Sequence, residues 1–350
     1  MIIDDNMYHI NLRRKSYINY GFDFRRDLFI LFNKTELAGK RVLLITGINS
    51  FRKTRYYKLL KGVLAESKLI LAKEIKVDQN PTWDLLDKFR DTQYNFDVIL
   101  CVGGGSVIDF GKALKLFFYK NTKIFAIYTL PGSASIITPF VIFDNHEFKI
   151  GEHSENIVPD YVYINREILL NVPTNLIKLA TFDILAHTVE SFVSNAATNQ
   201  SKRYALKALG FLTGYIDSGS TDVFSLIKAD IFAGLSEQIG LVLFPHAAGH
   251  YLTYRYKIPH SLATMYFLEK FIICLQSGGL VVPQEMLRLT KILNTTFLKE
   301  FKKPLPLTNE DVQRTFDLAE KYMPFIFTNN PVPLDKGDYL TLYNEYENYK

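Results

Sequence analysis

Asp183 and His187 stand four residues apart in the stretch TFDILAHTVE, among Ile184, Leu185 and Ala186. On a helix, positions i and i+4 share a face, so both side chains point the same way and can reach one metal ion. Further along, FPHAAGHYLTYRYKIPHSL supplies His246 and His250 four residues apart, with His260 ten residues on. Of the seven histidines, His9, His146 and His153 have no comparable neighbours. Taken singly, each histidine reads as an ordinary hydrogen-bonded residue, and the D-x3-H pair as a helix-stabilising pair. The combination carries more weight. Three neutral imidazoles and one carboxylate suit a first-row divalent ion such as Fe²⁺ or Zn²⁺. There are more candidate groups than a metal needs, so one histidine is left for the chemistry, and spacing does not say which.

A second stretch, VGGGSVIDFGK (102–112), lies between a strand-like run and a helical one. Glycines let backbone N–H groups approach an anion, and a helix N-terminus adds a favourable dipole. A phosphate or pyrophosphate fits there. The spacing is neither G-x-G-x-x-G nor a Walker A loop, and a tight strand-to-helix turn needing positive φ explains the glycines equally well.

The elements that position these residues fall into two textures. RVLLIT (41–46), SKLILAKEI, DVILCV (97–102) and KIFAIYTL (123–130) read as buried strands. They alternate with helical patterns: 82–92, with Trp83, Leu86 and Phe89 on one face, and Gly111 to Tyr119. FVIF and DYVYI add short strands near 140–164. Apolar strands alternating with helices imply βαβ units and a parallel sheet. From NVPTNLIKLA onward helical periodicity dominates, with Pro173 and Thr174 as a helix start. The boundary is placed near 170, giving an α/β domain over 1–170 and a helical domain over 171–350.

Composition narrows the function classes. With 350 residues, 48% of them hydrophobic, the chain fits two domains better than one core. The balance of 41 basic and 36 acidic residues gives only +5, spread along the chain, which argues against nucleic acid. Two cysteines, Cys101 and Cys274, are no disulfide framework, so a reducing cytoplasm is expected. MIIDDNMYHI has neither a basic nor a long apolar stretch of a signal peptide, and no apolar run approaches the roughly 20 residues that span a bilayer.

On these residues the chain resembles the iron-containing, or group III, alcohol dehydrogenases. GGGSVIDFGK is similar to that family's GGGS-x-x-D-x-x-K pyrophosphate loop, and DILAHTVESFVS to its D-x-L-x-H-x-x-E segment, which gives two metal ligands. HAAGHYLTYRYKIPH is similar to its H-x3-H…P-H segment, whose outer histidines, fourteen apart like His246 and His260, bind metal. NPT (80–82) and NNPVP (329–333) match in order, so the resemblance covers about residues 40 to 340. It implies an α/β nucleotide-binding domain with a parallel sheet, plus an all-α metal-binding domain. Dehydroquinate synthases share that fold.

Carried over residue by residue, the resemblance makes Asp183, His187, His246 and His260 the metal ligands, facing a cleft between the domains. Gly104, Gly105 and Ser106 would hold the pyrophosphate; Asn80, Thr129, Thr138 and Lys149 would line the cofactor cleft. His250 would be the proton carrier near the nicotinamide. The implied activity is a metal-dependent, NAD(P)-linked alcohol dehydrogenase or aldehyde reductase, working as a cytoplasmic homodimer. A dehydroquinate synthase-like lyase or cyclase is the alternative, and a binding module that lost activity a third. The family's TTAGTGSEVTPF appears as TLPGSASIITPF, with Ile136 for the usual Glu and with Pro131 and Ala134 at small or flexible positions; Ser261 replaces a Gly. Gly47 stands where NAD-selective relatives carry an Asp, and Ser50, Arg52 and Lys53 follow, so NADP(H) is expected over NAD(H). ITGINSFRKT also resembles a branch reducing phosphonoacetaldehyde to 2-hydroxyethylphosphonate. That sharpens the small-aldehyde expectation, with Arg255 and Lys257 as the nearest cations in sequence.

Overall fold

Uninterrupted apolar runs need cover on both faces, and the first half of the chain supplies it. The computed structural model describes residues 3–4, 7–11, 15–48, 51–78, 81–90, 92, 94–144, 146–297, 308–333 and 336–337. Its strands are β1 (Ile3–Asp4), β2 (Met7–Asn11), β3 (Lys15–Gly21), β4 (Arg41–Gly47), β5 (Ile70–Val77), β6 (Val98–Gly103), β7 (Lys123–Tyr128), β8 (Phe140–Asp144), β9 (Lys149–His153) and β10 (Tyr161–Asn165). Eight of them form one sheet in the order β1-β2-β3-β10-β7-β6-β4-β5. From β3 to β5 every pairing is parallel, while β1 and β2 add on antiparallel. Central β6 is buried along its whole length, whereas edge β5 alternates and exposes Ile70. Helices α1 (Phe24–Lys34), α2 (Arg55–Glu66), α3 (Trp83–Asp87), α4 (Gly105–Phe117) and α5 (Arg166–Leu170) complete this unit. β8 and β9 form a separate two-stranded ribbon.

Two expectations change in detail. The helix expected over 82–92 closes as an α-helix only over Trp83–Asp87, and the next turns are tight i→i+3 contacts from Phe89 and Arg90. The sheet also begins earlier than Arg41. Strand β3 escapes a hydrophobic reading because two of its buried residues are polar: the Ser16 hydroxyl donates to the Pro159 carbonyl and the Asn19 amide to that of Val162.

The second unit comprises 146–150 and everything from Thr174 on; the first comprises 1–145 and 151–173. Its helices are α6 (Thr174–Val193), α7 (Asn199–Asp217), α8 (Val223–Gly240), α9 (Phe244–Tyr256), α10 (His260–Ser277), α11 (Gln284–Ile292), α12 (Asn309–Tyr322) and α13 (Phe325–Asn329). α6 is apolar nearly all round, and such a helix has to be buried. It packs against α7, α8, α9, α10 and α11. Its polar residues therefore lie in a core. No helix among the described residues is long and apolar enough to cross a membrane.

α4 lies on the sheet through Gly111, where an added Cβ would sit 2.2 Å from Cys101 Sγ. Overfilling a close-packed core costs about 1–3 kcal/mol. Gly111→Ala should therefore lower the denaturant midpoint, and adding Cys101→Ala should recover most of the loss. Equal midpoints for wild type and Gly111→Ala would show that the contact is not tight.

Candidate metal centre and glycine-rich turn

The second unit brings together three of the predicted ligands. The ligand-capable atoms of Asp183, His187 and His246 lie within 4.8 Å of one another. Asp183 Oδ1 is 3.7 Å from His246 Nε2, and the His187 and His246 rings stack at 4.5 Å. His260 stands alongside, its ring 5.4 Å from that of His246 and 5.0 Å from that of His250. Helix geometry arranges this. α6 presents Asp183 and His187 one turn apart, α9 presents His246 and His250 one turn apart, and α10 begins at His260.

Contacts around the cluster aim the rings. The Glu190 carboxylate lies 2.6 Å from His246 Nδ1 and accepts the backbone N–H of Leu243. His250 Nδ1 is 3.0 Å from the Lys149 carbonyl, and its ring packs edge-on against Phe148. Lys149 therefore sits with the second unit, beside His250, and its ammonium is near enough to act on Asp183, His250 and His260. Two contributors went unread in the sequence. Glu190 follows His187 by three residues on the same helix face, a spacing that signalled it; Glu237, whose Oε2 is 3.8 Å from His187 Nε2, comes from α8 with no local signal.

Burial disfavours every charge here. It pushes Asp183 up to about 8, with Asp230 adding to it and Lys149 opposing, and Glu190 up to about 8 against its two donors. It holds His246 down to about 3, and His187, His250 and His260 well below the usual imidazole value. Four buried atoms, Asp183 Oδ1, His187 Nδ1, His246 Nε2 and His260 Nδ1, have no hydrogen-bond partner among the described residues. Buried polar atoms are rarely left so. A divalent cation would satisfy them, and a carboxylate with imidazoles is a suitable donor set.

In the first unit the glycine-rich turn joins β6 to α4. Gly104 caps the helix, and a Cβ on Gly105 would lie 2.6 Å from Ser133 Oγ, so the turn has no room for a side chain there. The first amides of α4, from Gly105 and Ser106, have no acceptor within the helix, as at any helix start. The Thr129 N–H donates to the Gly103 carbonyl at 3.1 Å. Fully buried Lys112 donates to the carbonyls of Thr138 and Phe140 at 2.9 and 2.8 Å, tying that loop to α4. Ala134, at a position expected to be flexible, adopts φ +50°, and Ile136 is fully buried.

Ser50 and Asn80 lie outside the described residues. Arg52 pairs with Glu74, which also accepts from Tyr57 and Lys61, while Lys53 is exposed. Arg255 is largely exposed, with its Nε 3.8 Å from Asp311, and the Lys257 ammonium lies 4.3 Å from the centre of the Tyr254 ring.

Comparison with known proteins adds to this picture. A family model described as iron-containing alcohol dehydrogenase matches residues 30–166. The NADPH-dependent butanol dehydrogenase of Clostridium saccharobutylicum is 23% identical over 284 residues, 72% of this chain and 73% of its own length. The bifunctional aldehyde-alcohol dehydrogenase of Escherichia coli is 23% identical over 267 residues; the match takes in 64% of this chain but only 29% of that protein. Among solved structures, an iron-containing alcohol dehydrogenase from Thermotoga maritima shares the fold, with TM-score 0.78 and 22% identity over 94% of this chain and 97% of that one.

Removing one ligand from a small set should empty the site. His246→Ala, Asp183→Ala and His260→Ala should each purify without stoichiometric Fe²⁺ or Zn²⁺, whereas His250→Ala should retain it, as read by elemental analysis after dialysis. Metal kept by His246→Ala but lost from His250→Ala would reverse the assignment.

Proposed function

We propose that this chain, whose residues 30–166 match the family model of iron-containing alcohol dehydrogenases, is a member of that family and a metal-dependent, nicotinamide-linked alcohol dehydrogenase acting on a small, uncharged aldehyde or its alcohol. The observation that carries this is the set of half-buried Asp183 and buried His187 and His246, whose ligand atoms converge in an apolar helical core and include atoms with no hydrogen-bond partner among the described residues. These three, with His260 beside them, would hold the ion. When bound, the ion supplies Lewis acidity toward a carbonyl or alcohol oxygen.

The chain's own residues do the rest. His250 commits Nδ1–H to the Lys149 carbonyl, which leaves Nε2 as the atom that takes a proton from an alcohol or returns one to an alkoxide. In the reducing direction an aldehyde, a hydride from the dinucleotide and one proton give the alcohol. In the first unit, Gly104, Gly105 and Ser106 would present backbone amides to the cofactor pyrophosphate, with Thr129 and Thr138 beside them. NADP(H) is the proposed cofactor. Gly47 puts no carboxylate against a 2′-phosphate, and Lys53 is an exposed cation nearby in sequence; Arg52, already held by Glu74, contributes less than its sequence position implies.

An uncharged substrate is favoured over a phosphonate. Arg255 and Lys257 lie beside Asp311 and the Tyr254 ring, and several carboxyl groups gather about the cluster, Asp183, Glu190, Asp230 and Glu237, with the Lys149 ammonium acting on Asp183 in return. Each of these carboxyl groups that ionises opposes a dianionic tail.

The test is turnover of propionaldehyde, butyraldehyde and phosphonoacetaldehyde with NADPH and NADH, on protein reconstituted anaerobically with Fe²⁺. Expected are loss of activity with chelator, a lower KM for NADPH, and kcat/KM at least about tenfold higher for the neutral aldehydes, or about 1.4 kcal/mol. Turnover that survives complete metal removal would end the metal-dependent reading, and a preference for phosphonoacetaldehyde would overturn the substrate class.

A further inference from the structure

Glu190 shares a face of α6 with two candidate ligands, three residues after His187 and seven after Asp183. It is fully buried, and it works from the far side of the His246 ring. Its Oε1 lies 2.6 Å from His246 Nδ1, while its Oε2 accepts the Leu243 N–H at 2.5 Å. Leu243 immediately precedes α9 and His246 lies in that helix's first turn, so one carboxylate holds both the helix start and a ring it carries. The contact has little freedom to slip. At the end of α8, a Cβ on Gly240 would lie 2.2 Å from the Ser191 carbonyl oxygen, so the chain leading into α9 is pressed onto α6 right beside Glu190.

A neutral imidazole carries one proton on one of its two nitrogens. Burial opposes the charge on Glu190, while its two partners, the Leu243 N–H and His246, favour it. An ionised carboxylate accepts and does not donate, so with Glu190 ionised Oε1 at this distance places the proton on Nδ1. Nε2 is then left with its lone pair directed toward the side where Asp183 Oδ1 stands 3.7 Å away. A metal-binding nitrogen needs that lone pair, and a carboxylate behind the ring is what fixes it.

We infer that Glu190 is a positioning residue that locks His246 in its Nδ1–H form, so that Nε2 is offered unprotonated beside Asp183. The purpose assigned to this lock rests on the metal reading above, whereas the lock itself rests only on the geometry around Glu190.

The test substitutes Glu190→Gln, which keeps the shape. A glutamine whose oxygen accepts from Leu243 must turn its NH₂ toward His246, and that demands a lone pair on Nδ1 and moves the ring proton to Nε2. Ring spectra of ¹⁵N-histidine-labelled, metal-free full-length protein should show Nδ1–H at His246 in wild type and Nε2–H in the variant. Zn²⁺ affinity, read by competition with a chelator, should fall about 10–100-fold. Glu190→Asp, which keeps an acceptor, should retain the Nδ1–H form; it also serves if the Gln variant does not fold. Nε2–H in the wild-type spectrum, or wild-type Zn²⁺ affinity in folded Glu190→Gln, would overturn the inference. If wild type binds no Zn²⁺, the metal reading fails and the ring spectra alone decide the lock.

Discussion

Placing a carboxylate and several imidazoles inside a helical core is the constraint on which the second unit turns. Each of these groups loses hydration that an apolar neighbour cannot replace, at a cost of a few kcal/mol or more per unsatisfied polar group. Nothing in α6 offsets that loss locally, because the helix is surrounded by other helices. Part of the cost is met by partners brought together from separate segments: Glu190 of α6 with His246 of α9, and the peptide of Lys149 with His250.

The same constraint separates two kinds of residue. Asp183, His187, His246 and His260 each keep a buried atom with no hydrogen-bond partner among the described residues, which leaves that atom open to a further ligand. Glu190 and the Lys149 carbonyl are instead consumed in contacts with imidazoles. The first kind is open to a ligand; the second aims neighbouring rings. His250 belongs to neither group fully. One of its nitrogens is engaged and the ring sits beside His260, an arrangement suited to passing a proton.

What the sequence revealed follows from the range of each interaction. The D-x3-H pair and the H-x3-H pair are local, and helix periodicity alone puts their members on common faces. The parallel sheet was legible because strands buried on both faces read as unbroken apolar runs, as in β4, β6 and β7. β3 was not, since buried Ser16 and Asn19 are satisfied by carbonyls of a segment about 143 residues away. Glu237 and Lys149 were opaque as neighbours of the candidate metal ligands for the same reason. Their relation to His187 and His250 exists only after α8 and the 146–150 segment have docked. Arg52 misled in the opposite sense: an unpaired cation in the sequence is a paired one once β5 brings Glu74 beside it.

The loop after β7 shows how such long-range contacts let a sequence depart from a local rule. Ala134 occupies the left-handed region at φ +50°, where an L-residue is disfavoured by roughly 1–2 kcal/mol. Yet Ala134, Ile136 and Ile137 are all fully buried, and Lys112 clamps the carbonyls of Thr138 and Phe140 immediately downstream. Burying an isoleucine side chain contributes about 1.5–3 kcal/mol, so packing at Ile136 and Ile137 outweighs the backbone strain one position earlier. Ile136, where the family resemblance leads one to expect a glutamate, is held by packing. The loop is held by apolar contact and by α4, and its shape does not depend on charge at that position.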